Sequence, residues 1–235
     1  MTKTALITGA NKGLGLETAR QLARDFGFTV YLGCRDQNRG LEAEKTLQSE
    51  GLDARSVLLD VTDENSISQA TQNIASLDVL VNNAGIMLEH DFQVGGVGLE
   101  MWKSTFDVNL FGVVSVTNAF LSHLEASPAP RVVNLSAILG SLTEISKPQM
   151  KNWIRASYSS SKAALNAFTV ALAQEHANSK WKINAAHPGW AKTDMGGPGA
   201  LMTPAQGVKT VIQLATLDEN GPNGGFFHMG KTMNW

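Results

Sequence analysis

The stretch Thr8-Gly9-Ala10-Asn11-Lys12-Gly13-Leu14-Gly15 constrains this chain most, because of what flanks it. Before it, Thr4-Ala5-Leu6-Ile7 is a short apolar run that reads as a buried strand ending at Gly9. After it, Gly15, Ala19, Leu22, Ala23 and Phe26 recur on one helical face. A strand that turns through glycines into such a helix implies a crossover to a second, parallel strand. The rest of the chain repeats this rhythm. Residues 29–34, 56–59, 78–81, 131–135, 182–186 and 226–229 read as further strands. Helical patterns fall at 41–50, at 101–125 and at 158–176. Another starts at an Asp63 cap with Ile67, Ala70 and Ile74 facing inward, and a last one follows Thr203-Pro204. The expected fold is α/β: a doubly wound parallel sheet of about seven strands with helices on both faces.

Length and composition narrow the function. The 235 residues make one domain, read as 1–235 without an interdomain linker, with a first half to about residue 110 and a second from about 111. Hydrophobic residues at 43% against 17% charged exclude wholesale disorder. A net charge of −2 offers no positive field, so neither a nucleic-acid nor an anionic-membrane partner is expected. No run of about 18 apolar residues suggests a membrane span. Cys34 is the single cysteine, which excludes an internal disulfide. That, with an N-terminus free of a signal-peptide pattern, favours a cytoplasmic setting. The five histidines show no ligand spacing, so no metal is expected. Three irregular stretches, 86–98, 139–156 and 189–202, each follow the carboxyl end of a strand, where open α/β sheets bind their ligands.

The glycines of the first loop are spaced G-x-x-x-G-x-G. Gly9 permits the tight turn, Gly13 lets the backbone approach a pyrophosphate, and Gly15 lets the helix pack on the strand. Asn11, Lys12 and Leu14 complete the loop. The helix N-terminus then offers free N–H groups to phosphates. The end of the second strand selects the dinucleotide. An acid there would accept from a ribose 2′-OH, but the residues are Gly33-Cys34-Arg35. Lys12, Arg35 and Arg39 supply three cations for a 2′-phosphate, so the expected cofactor is NADP(H).

The motifs together resemble the short-chain dehydrogenase/reductase family. They are Thr8 to Gly15, Leu59-Asp60-Val61, Asn82-Asn83-Ala84-Gly85, Asp107-Val108-Asn109, Tyr158-x-x-x-Lys162 and Pro188-Gly189 with Thr193. Within the family, Ala10 to Gly15, Cys34-Arg35-Asp36 and Pro188-Gly189-Trp190-x-x-Thr193-Asp194-Met195 are similar to NADPH-dependent carbonyl reductases. The resemblance implies a Rossmann-type domain. It implies cofactor contacts from Gly9, Asn11, Lys12, Gly13, Leu14, Gly15, Arg35, Arg39, Asp60, Val61, Asn83, Ala84, Gly85, Tyr158, Lys162, Pro188, Gly189, Trp190 and Thr193. It implies that Tyr158 protonates a carbonyl oxygen as hydride arrives from NADPH, that Lys162 holds the nicotinamide ribose, and that Asn109 positions a water.

Tyr158 and Lys162 are also readable from chemistry. At i and i+4 on one helix their side chains share a face. A nearby ammonium is expected to lower a phenol that ordinarily titrates near 10. One position departs from the pattern. Where the family has its catalytic serine, in Leu135-Ser136-Ala137-Ile138-Leu139-Gly140, this chain has Ala137. Ser136 is one residue off and should face the other way; Ser141 is a further candidate if its loop folds back. Losing a donor to the carbonyl oxygen typically costs about 10²–10³ in rate. Ala137, Leu139, Trp190 and Met195 are expected to face the substrate, with Trp153, Met150 and Met87 as further apolar candidates. His187 reads as a structural strand-end residue. The expected activity is reduction of ketones or aldehydes. The alternatives are secondary-alcohol oxidation with NADP⁺ and non-catalytic NADP(H) binding. A mainly monomeric protein is expected.

Overall fold

The computed structural model describes residues 2–89 and 94–235, without the Val94 side chain. Residues 90–93, part of the irregular stretch 86–98, lie outside it. The strands are β1 (Thr4–Thr8), β2 (Thr29–Cys34), β3 (Ala54–Leu58), β4 (Val79–Asn82), β5 (Arg131–Leu135), β6 (Lys182–Ala186), β7 (Phe226–His228) and β8 (Lys231–Thr232). They form one sheet in the order β3-β2-β1-β4-β5-β6-β7-β8. The order reverses between β1 and β4, which opens a crevice at the carboxyl edge.

The sheet buries both faces because its strands alternate two apolar sets. Ala5, Ile7, Val30, Leu32, Val81 and Val133 face one core with Ala19 and Leu22 of α1 (Gly13–Phe26) and Val211 of α10 (Lys209–Ala215). Leu6, Tyr31, Leu80, Val132 and Ile183 face the other. There they meet Ile67 and Ala70 of α3 (Glu64–Asn73), Val116 of α5 (Gly112–Ala119) and Leu172 of α8 (Ala156–Glu175). Two asparagines interrupt this apolar pattern. Asn82 and Asn134 pair in register across β4 and β5, and Asn82 Nδ2 donates to Asn134 Oδ1 at 2.8 Å. Asn82 Nδ2 also donates to Thr117 Oγ1 and Asn134 Nδ2 to Thr169 Oγ1, while Asn82 Oδ1 stays buried without a partner among the described residues.

Three features depart from the expectation. There are eight strands instead of about seven: β8 pairs antiparallel with β7. Its hairpin turns at Met229 and Gly230, both at positive φ, as a two-residue type I′ turn requires. Helix α2 (Gln37–Ser49) begins ahead of its apolar period because the Asp36 side chain caps it, accepting from Arg39 N–H. The helix expected at 101–125 divides into α4 (Leu99–Phe106), a π turn (Asp107–Phe111), α5 and α6 (Leu121–Glu125). Such π turns recur at functional positions, and this one carries Asn109.

The irregular stretch after β5 contains a short helix, α7 (Leu142–Ile145), and a 3₁₀ turn (Pro148–Met150). After the loop 189–202 comes α9 (Pro204–Gly207). Thr203 and Gln206 form a reciprocal capping box at its start.

Candidate active site

The glycine loop is shaped by close approach. Gly9 and Gly13 take φ of 65° and 57°, the left-handed region that disfavours a side chain. A Cβ at Gly15 would lie 2.5 Å from both Asn83 Nδ2 and Gly9 O. Asn83 occupies that contact deliberately: its Nδ2 donates to Thr8 O and Gly9 O at 2.7 and 3.1 Å. Thr8 Oγ1 accepts from the Asn83 and Ala84 amides. The turn after β4 is thereby laced to the loop after β1. No side chain caps α1 at Lys12, and its first turn carries no acid. An uncapped helix N-terminus beside a cradle that a Cβ would fill fits a dinucleotide pyrophosphate. Asp60 bends the chain after β3 by accepting from Thr62 N–H and Oγ1. Gly112 of α5 packs on Val61 there, where a Cβ would come within 2.8 Å of Val61 Cγ2.

The three cations do not all converge. Arg35 is exposed at the end of β2, and Arg39 stands on α2 with its guanidinium 3.8 Å from Asp36. Lys12 is instead ion-paired with Asp194, across the cleft in the loop after β6.

Tyr158 and Lys162 lie buried on α8, with Lys162 Nζ 5.8 Å from the Tyr158 ring centre. Lys162 is only 4% exposed, and its Nζ donates to Leu135 O at 2.7 Å. A Cβ at Gly85 would lie 3.6 Å from that Nζ and 3.3 Å from Asn109 Oδ1. The two helices and the turn after β4 therefore meet around one point. Asn109 is committed to that turn: Oδ1 accepts from Ile86 N–H at 2.8 Å and Nδ2 donates to Ile86 O at 2.9 Å. Its Nδ2 also donates to Ser161 Oγ. The lysine does not lower the phenol here. Burial pushes the Tyr158 phenol up to about 12 and the Lys162 ammonium down to about 8, because both lose solvation of their charged forms.

Ala137 follows β5 in extended conformation and is buried. Ser136 is buried too, its hydroxyl without a partner among the described residues. Ser141 does not replace the missing hydroxyl. Its Oγ donates to Asn234 O and accepts from Glu144 N–H, capping α7.

The rim comes from two distant loops. Trp153 and Trp190 meet edge to face at 5.3 Å, 50% and 41% exposed. Met195 is equally open at 41%, and Leu139 is partly buried. The loop 189–202 begins at Pro188-Gly189 and is braced internally. Trp190 Nε1 donates to Gly196 O, Thr193 Oγ1 accepts from Gly196 N–H, and Met202 N–H bonds back to Trp190 O. Thr193 reaches the glycine loop, where a Cβ at Gly13 would lie 3.3 Å from its Cγ2. His187 is structural: burial and the neighbouring His228 hold its ring down at about 3.

Sequence reasoning missed Glu89. Its buried carboxylate accepts from the backbone N–H groups of Ser157 and Tyr158 and from the Ser157 hydroxyl. No motif or period marks it, since it stands in an irregular stretch and its partners lie far along the chain.

Among the described residues, no cluster of His, Cys, Asp or Glu could hold a metal. No helix among them is long and apolar enough to cross a membrane. Residues 3–200 match the family model described as short chain dehydrogenase. The chain is 33% identical to (+)-neomenthol dehydrogenase of Arabidopsis thaliana, with 95% of each covered. It is 32% identical to Carbonyl reductase [NADPH] 1 of Homo sapiens, with 98% of each covered. Among solved structures it is similar to the NADPH-bound carbonyl reductase from chicken fatty liver. The TM-score is 0.85 and the identity 28%, covering 100% of this chain and 99% of that one.

Proposed function

Since the chain belongs to the short-chain dehydrogenase family, we propose that it reduces a ketone or aldehyde to the alcohol with NADPH, Tyr158 giving the proton. The observation that carries this reading is the meeting of Tyr158, Lys162, Asn109 and Gly85 beside a dinucleotide cradle. The human relative and the solved structure quoted above carry carbonyl reductase and NADPH in their names, which supports the same cofactor and reaction.

NADPH, when bound, supplies the hydride that forms the new C–H bond. The chain supplies the rest. Tyr158 holds the proton that completes the O–H bond; with its phenol at about 12 it is protonated at neutral pH and acts as an acid. The same site runs in both directions, and the cofactor ratio decides which one dominates. Lys162 is an ammonium below about pH 8 and faces the phenol. Its ammonium would hold the nicotinamide ribose. Asn109 fixes Ile86 on both backbone atoms and so keeps the turn that starts at Gly85 in place. Arg35 and Arg39, with Lys12 once released from Asp194, hold the 2′-phosphate. Trp190, Met195, Leu139 and Ala137 face an apolar carbonyl compound, with Trp153 closing the rim.

Ala137 is the one observation favouring a non-catalytic binder, because it removes a donor to the carbonyl oxygen. NADPH consumption with a panel of small ketones and aldehydes separates the two. Turnover is expected. Tyr158→Phe should lower kcat by about 10²–10⁴-fold with the NADPH Kd unchanged. A Phe variant as active as the parent would overturn the assignment. NADPH binding without any turnover would leave the binder.

A further inference from the structure

We propose that Glu89 is a positioning residue for Tyr158: it clamps the first turn of α8 to the loop after β4 and so sets where the phenol stands. The proposal rests on the reductase reading above. Glu89 is 5% exposed, and a carboxylate that deep must be hydrogen-bonded to be tolerated. Its partners are all on one helical turn. Oε1 accepts from Ser157 N–H at 3.1 Å. Oε2 accepts from Tyr158 N–H at 3.0 Å and from Ser157 Oγ at 2.9 Å. These are amides that a helix leaves unsatisfied at its start, and a negative charge there is favourable.

Ordinarily the residue preceding the helix does this work. Here Arg155 occupies the N-cap and makes no side-chain cap. Ser157, which carries a capping type of side chain, donates its hydroxyl to Glu89 instead. The cap is therefore supplied from a loop 68 residues away in sequence. A local cap would stabilise the helix equally well. A remote one does something further: it fixes the distance between two elements.

The loop's other end is held as firmly. Asn109 grips Ile86 through both backbone atoms, just past Gly85. A continuous link thus runs from Gly85 through Ile86 and Glu89 to the Tyr158 amide. Thr105 of α4 joins it through Ser157 Oγ at 3.3 Å. The phenol is placed relative to Gly85 and Lys162 by directional bonds rather than by packing alone. Proton transfer is steep in such placement, where a 1 Å error can cost about 10²-fold.

The test compares the parent, Glu89→Gln, Glu89→Asp and Tyr158→Phe by kcat, KM, NADPH Kd and amide hydrogen exchange. Glu89→Gln replaces an acceptor oxygen with a donor facing an N–H. It should lower kcat about 10-fold or more while KM and the NADPH Kd stay within about 2-fold. Exchange at Ser157 and Tyr158 should quicken while β4 and the rest of α8 exchange as in the parent. Glu89→Asp keeps the charge but reaches one methylene less far, so it should restore part of the exchange protection while kcat stays below the parent's. Unchanged kcat and exchange in the Gln variant would overturn the proposal. So would a loss of protection across all of α8 that Asp does not rescue, which is a purely structural role. If the Gln variant does not fold, Ser157→Ala carries the test by removing only the hydroxyl bond. Lower kcat with a faster-exchanging first turn supports the clamp, and no change overturns it. A parent without turnover, or an active Tyr158→Phe, would sink the reductase reading instead. The exchange data would still decide whether Glu89 holds the turn.

Discussion

The loop after β1 and the loop after β6 face each other across one cleft, yet they are built in opposite ways. The first is backbone held in place by the Asn83 and Thr8 side chains. Gly9 and Gly13 turn at positive φ, Gly15 leaves no room for a methyl, and Asn83 stitches Thr8 and Gly9 to the turn after β4. The second stands on its own bonds, from Trp190 to Gly196 and from Thr193 to Gly196, and presents half-exposed side chains. On the function proposed above, the first loop would hold a pyrophosphate, which has one shape, and the second would form a substrate rim, which can change its side chains without disturbing the sheet. Changes in the cradle should therefore act on binding and fold together, and changes on the substrate side on rate or selectivity alone.

Ala137→Ser is the sharpest way to probe the substrate side. If Ala137 stands where a donor to the carbonyl oxygen belongs, the restored hydroxyl acts mainly in the transition state. We expect kcat to rise by about 10²–10³-fold with little change in NADPH affinity. Ser136→Ala should have a small effect, since that hydroxyl is buried without a partner among the described residues. The reverse pattern, Ser136 essential and Ala137→Ser silent, would show that the end of β5 is aimed differently, and the contrast between the two sides would lose its catalytic half.

Gly15→Ala tests the cradle. The added methyl would lie 2.5 Å from Gly9 O, which is backbone, and from Asn83 Nδ2, which is held by its bonds to Thr8 O and Gly9 O. Overpacking of this kind typically costs about 1–3 kcal/mol, so NADPH binding should weaken roughly 10- to 100-fold and the Tm should fall with it. Calorimetric titration and thermal melting measure the two together. Weakened binding with an unchanged melt would break the claim that cradle and fold are one structure.

The same division explains what the sequence made legible. β2, β5 and β6 are delimited by apolar runs, and their expected bounds coincide with the observed ones. The glycine loop was legible because its backbone demands are written in residue type. β8 was not, because two residues at a type I′ turn carry no period and Met229 is not a usual turn residue. The π turn at Asp107–Phe111 shares the apolar face of the helix around it, so nothing in the spacing distinguishes it. Glu89 was invisible for a different reason: its meaning lies in Ser157 and Tyr158, which only the fold brings to it. Lys12 was placed with Arg35 and Arg39 by charge, but Asp194, 182 residues away in sequence, takes it.

That ion pair joins the two loops beside the approach of Thr193 to Gly13, and it carries the smallest effect. Lys12 and Asp194 are both well exposed, and exposed pairs contribute little to stability. The pair matters as competition: while Asp194 holds the ammonium, Lys12 is withheld from a 2′-phosphate. The Lys12 side chain also draws the Asp194 carboxyl below its ordinary range. Asp194→Asn should free Lys12 and tighten NADPH by about 2- to 5-fold, leave NADH unchanged, and lose this advantage as salt is raised. Lys12→Ala should weaken NADPH and make Asp194→Asn silent in the double variant. Equal tightening of both cofactors would mean that the pair only holds the loop after β6 closed. No change in either would mean that the cradle ignores the rim, and that the two loops are independent even where they touch.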